Sequence, residues 1–146
     1  MYQHILIPTD GSELSEKAIS HAVALAEVHD AKITALHVSP QYHVSALDPI
    51  TVVQDAQDKH LQQIRKLASQ HLEVVANAAR MVGIACDKIH IVNDHPYEAI
   101  IDTAKSKGCD LIAMASHGRR GLSAIVLGSQ TLKVLTHSTT PVLVLR

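Results

Sequence analysis

Asp110-Leu111-Ile112-Ala113-Met114-Ala115 is the stretch on which the reading of this chain turns. One acidic residue leads into an unbroken apolar run, so both faces of the extended segment need cover. A strand of that kind lies inside a sheet with helices on either side. Its neighbours in sequence agree with this. Before it, Lys88-Ile89-His90-Ile91-Val92 reads as a strand, and Pro96 opens a helix carried by Ala99, Ile100 and Ala104 and stopped at Gly108. After it, a loop rich in Gly and Arg leads to a helix from Ser129 to about His137, and Pro141-Val142-Leu143-Val144-Leu145 closes the chain as a further strand.

The same alternation continues toward the N-terminus. His4-Ile5-Leu6-Ile7 is a first strand, ended by the turn cluster Pro8-Thr9-Asp10-Gly11. Ser12 can cap the helix that follows, Glu13 and Glu16 suit its first turn, and Leu14, Ala18, Ala22, Leu25 and Ala26 paint one face until about His29-Asp30. Ile33 to Val38 is a second strand, Ser39 to Pro49 a loop, and Leu61, Ile64, Ala68, Leu72, Val75, Ala79 and Val82 form the stripe of a long helix ending at Gly83. Strands separated by helical crossovers imply an α/β domain: a doubly wound, five-stranded parallel sheet with helices on both faces.

Composition narrows the function. At 146 residues the chain fits one domain, residues 1–146, able to bury roughly 68–70% of its unfolded surface without staples. Hydrophobic residues at 47% and charged ones at 18% mark a globular chain. With 13 basic against 14 acidic residues, and three Tyr but no Phe or Trp, neither a nucleic-acid backbone nor unstacked bases have an obvious platform, so no nucleic-acid partner is expected. No apolar run approaches the ~18–20 residues that span a bilayer, so no membrane partner is expected either. The opening Met1-Tyr2-Gln3-His4 has no basic n-region, which predicts a cytoplasmic protein. Cys86 and Cys109 have no ligand spacing and read as small hydrophobes. The 11 histidines are scattered, without HExxH or helical i, i+4 pairing, so no metal centre of the protein's own is expected. His37 reads as an ordinary strand residue.

In doubly wound folds ligands sit beyond the carboxyl ends of the strands. That directs attention to Pro8–Ser12, to Val38 onward and to Ala115–Thr131. The segment Ala115-Ser116-His117-Gly118-Arg119-Arg120-Gly121 combines exposable backbone N–H groups with fixed positive charge, which suits phosphate, and His117 could add a proton donor. Gly128-Ser129 opens the last helix, whose free N–H groups and Ser129 hydroxyl can face the same anion. The plainer alternative is a Gly-rich turn with two solvated arginines. It is not a P-loop: no Gly-Lys-Ser or Gly-Lys-Thr occurs, and no lysine or base is placed for rapid attack on a γ-phosphate. Asp10 is the one acidic group expected in the mouth, either accepting ribose hydroxyls and holding Mg²⁺ through water or simply forming the turn. On its apolar strand Met114 reads as core.

Taken together these segments resemble the universal stress protein family over essentially the whole chain. The resemblance rests on Ile5-Leu6-Ile7-Pro8-Thr9-Asp10-Gly11-Ser12, Ala35-Leu36-His37-Val38, Pro96 to Ile100, and Asp110-Leu111-Ile112 through Thr140-Pro141-Val142-Leu143-Val144. Most specific is the family's nucleotide signature, of which Gly118, Gly128 and Ser129 supply the second and third glycines and the hydroxyl; Ala115 stands at the first glycine. The resemblance implies a Rossmann-like, adenine nucleotide α-hydrolase-like sheet of order 3-2-1-4-5 and an ATP-binding, dimeric stress-response module with at most slow ATP hydrolysis. By the same token Pro8, Thr9 and Asp10 would meet the adenosine, and the Val38 backbone would read the adenine edge. Met114 would pack on base or sugar. Ala115, Ser116, His117, Gly118, Arg119, Arg120 and Gly121 would wrap ribose and phosphates, and Ser129, Gln130 and Thr131 would hold phosphate. The ligand would be ATP or AMP, with Mg²⁺ carried on the nucleotide and Asp10. The family forms dimers through the final strand, here Pro141 to Leu145, and acts on a protein partner that the residues do not identify. The alternatives are a slow ATPase or nucleotidyl-transfer enzyme of this fold, and a nucleotide-free scaffold closed by Ala115.

Overall fold

The computed structural model describes residues 1–47, 49–117 and 127–146, with Thr51 described by its backbone alone. The chain runs β1 (His4–Pro8), α1 (Glu13–His29), β2 (Lys32–Ser39), α2 (Ile50–Met81), β3 (Cys86–Val92), α3 (Pro96–Lys107), β4 (Leu111–Ala115), α4 (Ser129–His137) and β5 (Val142–Leu145). All strand pairings are parallel, in the order β3-β2-β1-β4-β5. This is the doubly wound sheet that the alternation of elements and the family resemblance led one to expect.

Side chains alternate across a strand, so each strand feeds two cores. Ile5, Ile7, Ile33, Ala35, Leu111 and Ala113 point to one face, where Ile19, Ala22 and Val23 of α1 and Leu72, Val75 and Ala79 of α2 cover them. Leu6, Leu36, Ile112 and Met114 point to the other, under Ile100 and Ala104 of α3 and Val134 of α4. β4 is buried along its whole length. β5 and β3 are the edges, and all four residues of β5 are half-buried.

The local signals act as expected. Ser12 accepts the Ser15 N–H and caps α1, and Asp30 closes that helix in a left-handed conformation. Gly108, at φ 66, closes α3. Asp110 ties the two central strands at their starts: its carboxylate accepts the Gln3 N–H at 2.8 Å and the His4 N–H at 3.0 Å. Burial works against that carboxylate's charge, but the two N–H groups prevail and hold its pKa below the usual aspartate range.

Several strand boundaries shift, and β1 and β2 each run one residue further, to Pro8 and Ser39. β2 begins at Lys32, which pairs with His4 of β1, and β3 begins at Cys86, which pairs with Ile33 of β2, each ahead of the apolar run. β5 begins at Val142, although the Pro141 carbonyl still accepts the Ile112 N–H at 2.9 Å. Among the described residues no helix is long and apolar enough to cross a membrane.

Candidate functional site

Beyond the carboxyl ends of the strands lies a cavity of about 400 Å³, within the range of small-molecule sites. β1 supplies Pro8, Thr9 and Asp10, β2 supplies Leu36 and Val38, and β4 supplies Met114 and Ala115. His117 and the first turn of α4, Gly128 to Thr131, close one end with Pro96 at the start of α3 beside them, and Pro40, Asn93 and Asp94 come from the turns after β2 and β3.

The α4 end is rich in donors. Gly128 caps this helix without any side-chain hydrogen bond, so among the described residues no side chain caps the first-turn N–H groups, and the partial positive charge of a helix start stands behind them. Gly128 is held tightly. Its N–H donates to the Ser116 carbonyl at 2.8 Å, and a Cβ there would stand 3.2 Å from that oxygen and 3.3 Å from the His117 Cα. Thr131 spends its hydroxyl on the Ala115 carbonyl at 3.0 Å, fastening α4 to β4. Gln130 turns its side-chain oxygen to the Tyr97 N–H at 3.1 Å and so joins the starts of α3 and α4. Ser129 is exposed on the rim. His117 Nδ1 lies 2.9 Å from the Ser116 hydroxyl, while its Nε2 is buried with no hydrogen-bond partner among the described residues. A buried imidazole nitrogen left in that condition favours a polar ligand atom beside it.

The β1 turn is built as an Asx turn: Asp10 Oδ1 accepts the Ser12 N–H at 3.0 Å while the residue faces the cavity. Thr9 is buried, its hydroxyl accepting from Ser15 at 2.8 Å. Behind this turn three imidazoles meet. His37 Nδ1 donates to the Thr9 carbonyl at 2.8 Å, His71 Nδ1 lies 3.4 Å from His37 Nδ1, and the His90 ring is centred 6.0 Å from that of His37. Burial, the His37 ring and Arg65 lower the pKa of His90. His37 thus stands in the sheet as expected, but as an anchor of the site's turn. No set of three His, Cys, Asp or Glu side chains among the described residues is placed to hold a metal ion.

The expected site residues are therefore gathered unevenly. Pro8, Thr9, Asp10, Val38, Met114, Ala115, His117, Gly128, Ser129, Gln130 and Thr131 share the cavity. Met114 belongs at once to the core beneath it. Ser116 is buried and does not line the cavity; its N–H donates to the Leu145 carbonyl at 2.8 Å. Gly118, Arg119, Arg120 and Gly121 lie outside the described residues. The expectation that Asp10 is the one acid in the mouth is corrected, because Asp94 also lines it. The turn after β3 reaches the same rim since β3 pairs with β2 as far as Ser39 and Val92, which sets Asn93 beside Ser39. Neither cysteine serves the site: burial pushes the Cys109 thiol up to about 11 and raises that of Cys86.

The model of the universal stress protein family matches residues 1–146. The chain is 33% identical over 150 residues to the universal stress protein YxiE of Bacillus subtilis, covering 100% of each. It is 30% identical over 156 residues to the universal stress protein MJ0577 of Methanocaldococcus jannaschii, covering 100% of this chain and 96% of that protein. The solved structure of MJ0577 matches with a TM-score of 0.83 and 32% identity over 99% of this chain and 96% of that one. A universal stress protein solved in complex with cAMP shares the fold with a TM-score of 0.71 and 22% identity, over 99% of this chain and 97% of that one. A family model that spans the whole chain, and relatives at 30% identity or more over all of it, lead to one conclusion: the chain belongs to the universal stress protein family.

Proposed function

We propose that this protein is a binding module for an adenine nucleotide, ATP or AMP. The observation that carries the reading is the start of α4, which has no side-chain cap, set beside the buried His117 Nε2, which has no hydrogen-bond partner among the described residues. Both are suited to an anion, and the opposite end is not. There Pro40 has no N–H, and the Asp94 carboxylate repels phosphate. A nucleotide enters with its phosphates toward Ser129 and its base toward Val38, Pro40 and Asn93. The ribose then lies by Asp10, which can also take a Mg²⁺ ion carried on the phosphates through water. That fold relatives have been solved with cAMP, dAMP and AMP supports the class of ligand.

The role is binding, with hydrolysis no faster than slow. In this reading the occupied site alters the surface offered to a protein partner during stress, in the cytoplasm. β5 supplies an unpaired strand edge that a second copy of the chain covers by two-fold pairing.

Calorimetric titration with AMP, ATP and ATP with Mg²⁺ tests the proposal. Saturable binding is expected, weakened at least about tenfold by Ser129→Asp, which places a carboxylate where the phosphate belongs. Absence of saturation at millimolar nucleotide refutes it and leaves a scaffold without ligand. Multi-turnover hydrolysis abolished by Asp10→Ala would instead favour an enzyme.

A further inference from the structure

Two side chains hold the Pro40 rim of the cavity: His60 of α2, whose Nε2 lies 3.5 Å from the Pro40 carbonyl, and Asp94. Asp94, in the turn between β3 and α3, reaches across to the segment that leaves β2. One carboxylate oxygen accepts the Gln41 N–H at 3.0 Å and the other lies 2.9 Å from His43 Nε2. The two turns already touch through the Asn93 N–H, which donates to the Ser39 carbonyl at 2.9 Å. Asp94 carries that contact outward, where strand pairing has ended and nothing in the sheet's ladder fixes Pro40 to His43. Of this segment Pro40 forms cavity wall, and Asn93 and Asp94 form the wall beside it. Tyr42 stacks at 5.4 Å on His60 of α2, which steadies the outer side of the same segment.

We propose that Asp94 is a positioning residue for the nucleoside: by clasping Gln41 and His43 it holds Pro40 as the wall against which the base packs. The inference rests on the reading that the site binds an adenine nucleotide. It differs from an electrostatic role in sign. Asp94 adds negative charge to the mouth, so its charge alone opposes a phosphorylated ligand, and removing it should tighten AMP. Loss of the clasp weakens AMP, because the wall must then be ordered during binding.

The experiment compares wild type, Asp94→Ala and Asp94→Asn. Asparagine keeps an oxygen for the Gln41 N–H and removes the charge. AMP affinity is measured by calorimetry, on protein whose far-ultraviolet circular dichroism matches wild type. The expected result is a loss of about tenfold for Asp94→Ala and within about threefold of wild type for Asp94→Asn. Inorganic tripolyphosphate, which has no base, should lose at least about fivefold less than AMP does in Asp94→Ala. Unchanged or tighter AMP binding by Asp94→Ala overturns the proposal, as does an equal loss in both variants. A second readout needs no ligand: hydrogen exchange at the Gln41 amide. Faster exchange in Asp94→Ala but not in Asp94→Asn supports the clasp, and equal exchange in all three proteins overturns it. If wild type fails to bind AMP, the nucleotide reading falls while the exchange result still decides whether the clasp exists.

Discussion

Gly11 is where the backbone demand of the site's first turn can be measured. It sits at φ +73, and a Cβ built there would lie 2.2 Å from Nε2 of the His71 ring. Alanine at this position therefore meets two penalties. Left-handed backbone costs an L-residue about 1–2 kcal/mol, offset in part by the lower entropy that alanine gives the unfolded chain, for a net of about 1 kcal/mol. The imidazole must also swing away from His37, now 3.4 Å distant between Nδ1 atoms, which costs about 1 kcal/mol more. Gly11→Ala should thus lose about 2 kcal/mol, read as a drop of about 4–8 °C in the thermal midpoint for a chain of this length. Urea unfolding followed by circular dichroism at 222 nm gives the free energy, at unchanged slope. The double variant Gly11→Ala/His71→Ala separates the two parts: with no ring to displace, it should be more stable by about 1 kcal/mol than the sum of the single losses predicts. A Gly11→Ala loss below about 0.5 kcal/mol, or additivity within about 0.3 kcal/mol, would refute the reasoning.

Ser12→Ala removes the side-chain cap of α1 and should cost about 1 kcal/mol by urea unfolding. Asp110→Ala releases the Gln3 and His4 N–H groups and should cost about 1–2 kcal/mol at neutral pH. Because the Asp110 pKa is depressed in the folded state, its contribution is complete above the ordinary aspartate value and lost as pH falls below it. The gap between wild type and Asp110→Ala should accordingly shrink below about pH 4, and a gap that widens there would contradict the assignment. Thr131→Val keeps the volume of a buried side chain but leaves the Ala115 carbonyl without its hydroxyl donor, a loss of about 1–3 kcal/mol in the same assay. Glu73→Gln breaks an exposed pair with Lys88 and should leave the urea midpoint unchanged, because solvent screens such pairs.

Much of this architecture is legible in residue order, because its causes are local. The run from Leu111 to Ala115 announces burial on both faces, Ser12 marks a helix start by its hydroxyl, and Gly83 and Gly108 mark helix ends by the left-handed backbone that glycine takes easily. The position of the site follows too, since parallel strands expose their turns at one end. What stays hidden depends on register. His37 and His90 are partners across β2 and β3, a pairing that brings together side chains far apart in sequence. Asp94 reaches Gln41 over a separation of 53 positions for the same reason. Side-chain direction at a strand end is equally silent: Ser116 and Gln130 carry groups suited to phosphate, yet one hydroxyl faces His117 and the other residue's oxygen faces the start of α3.

The order of strands also has a temporal side. β1 lies at the centre of the sheet, but its neighbour on one flank, β4, pairs Leu111 with Ile5 across 106 positions of chain. On a ribosome adding about 5–20 residues per second, roughly 5–20 s separate synthesis of these two segments. Through that interval β1 can join β2 and β3 but shows its other flank, with Ile5 and Leu6, to whatever is near. The nascent chain is therefore most vulnerable to misassociation just before β4 emerges, and substitutions in β4 should damage yield in the cell more than their effect on equilibrium stability implies.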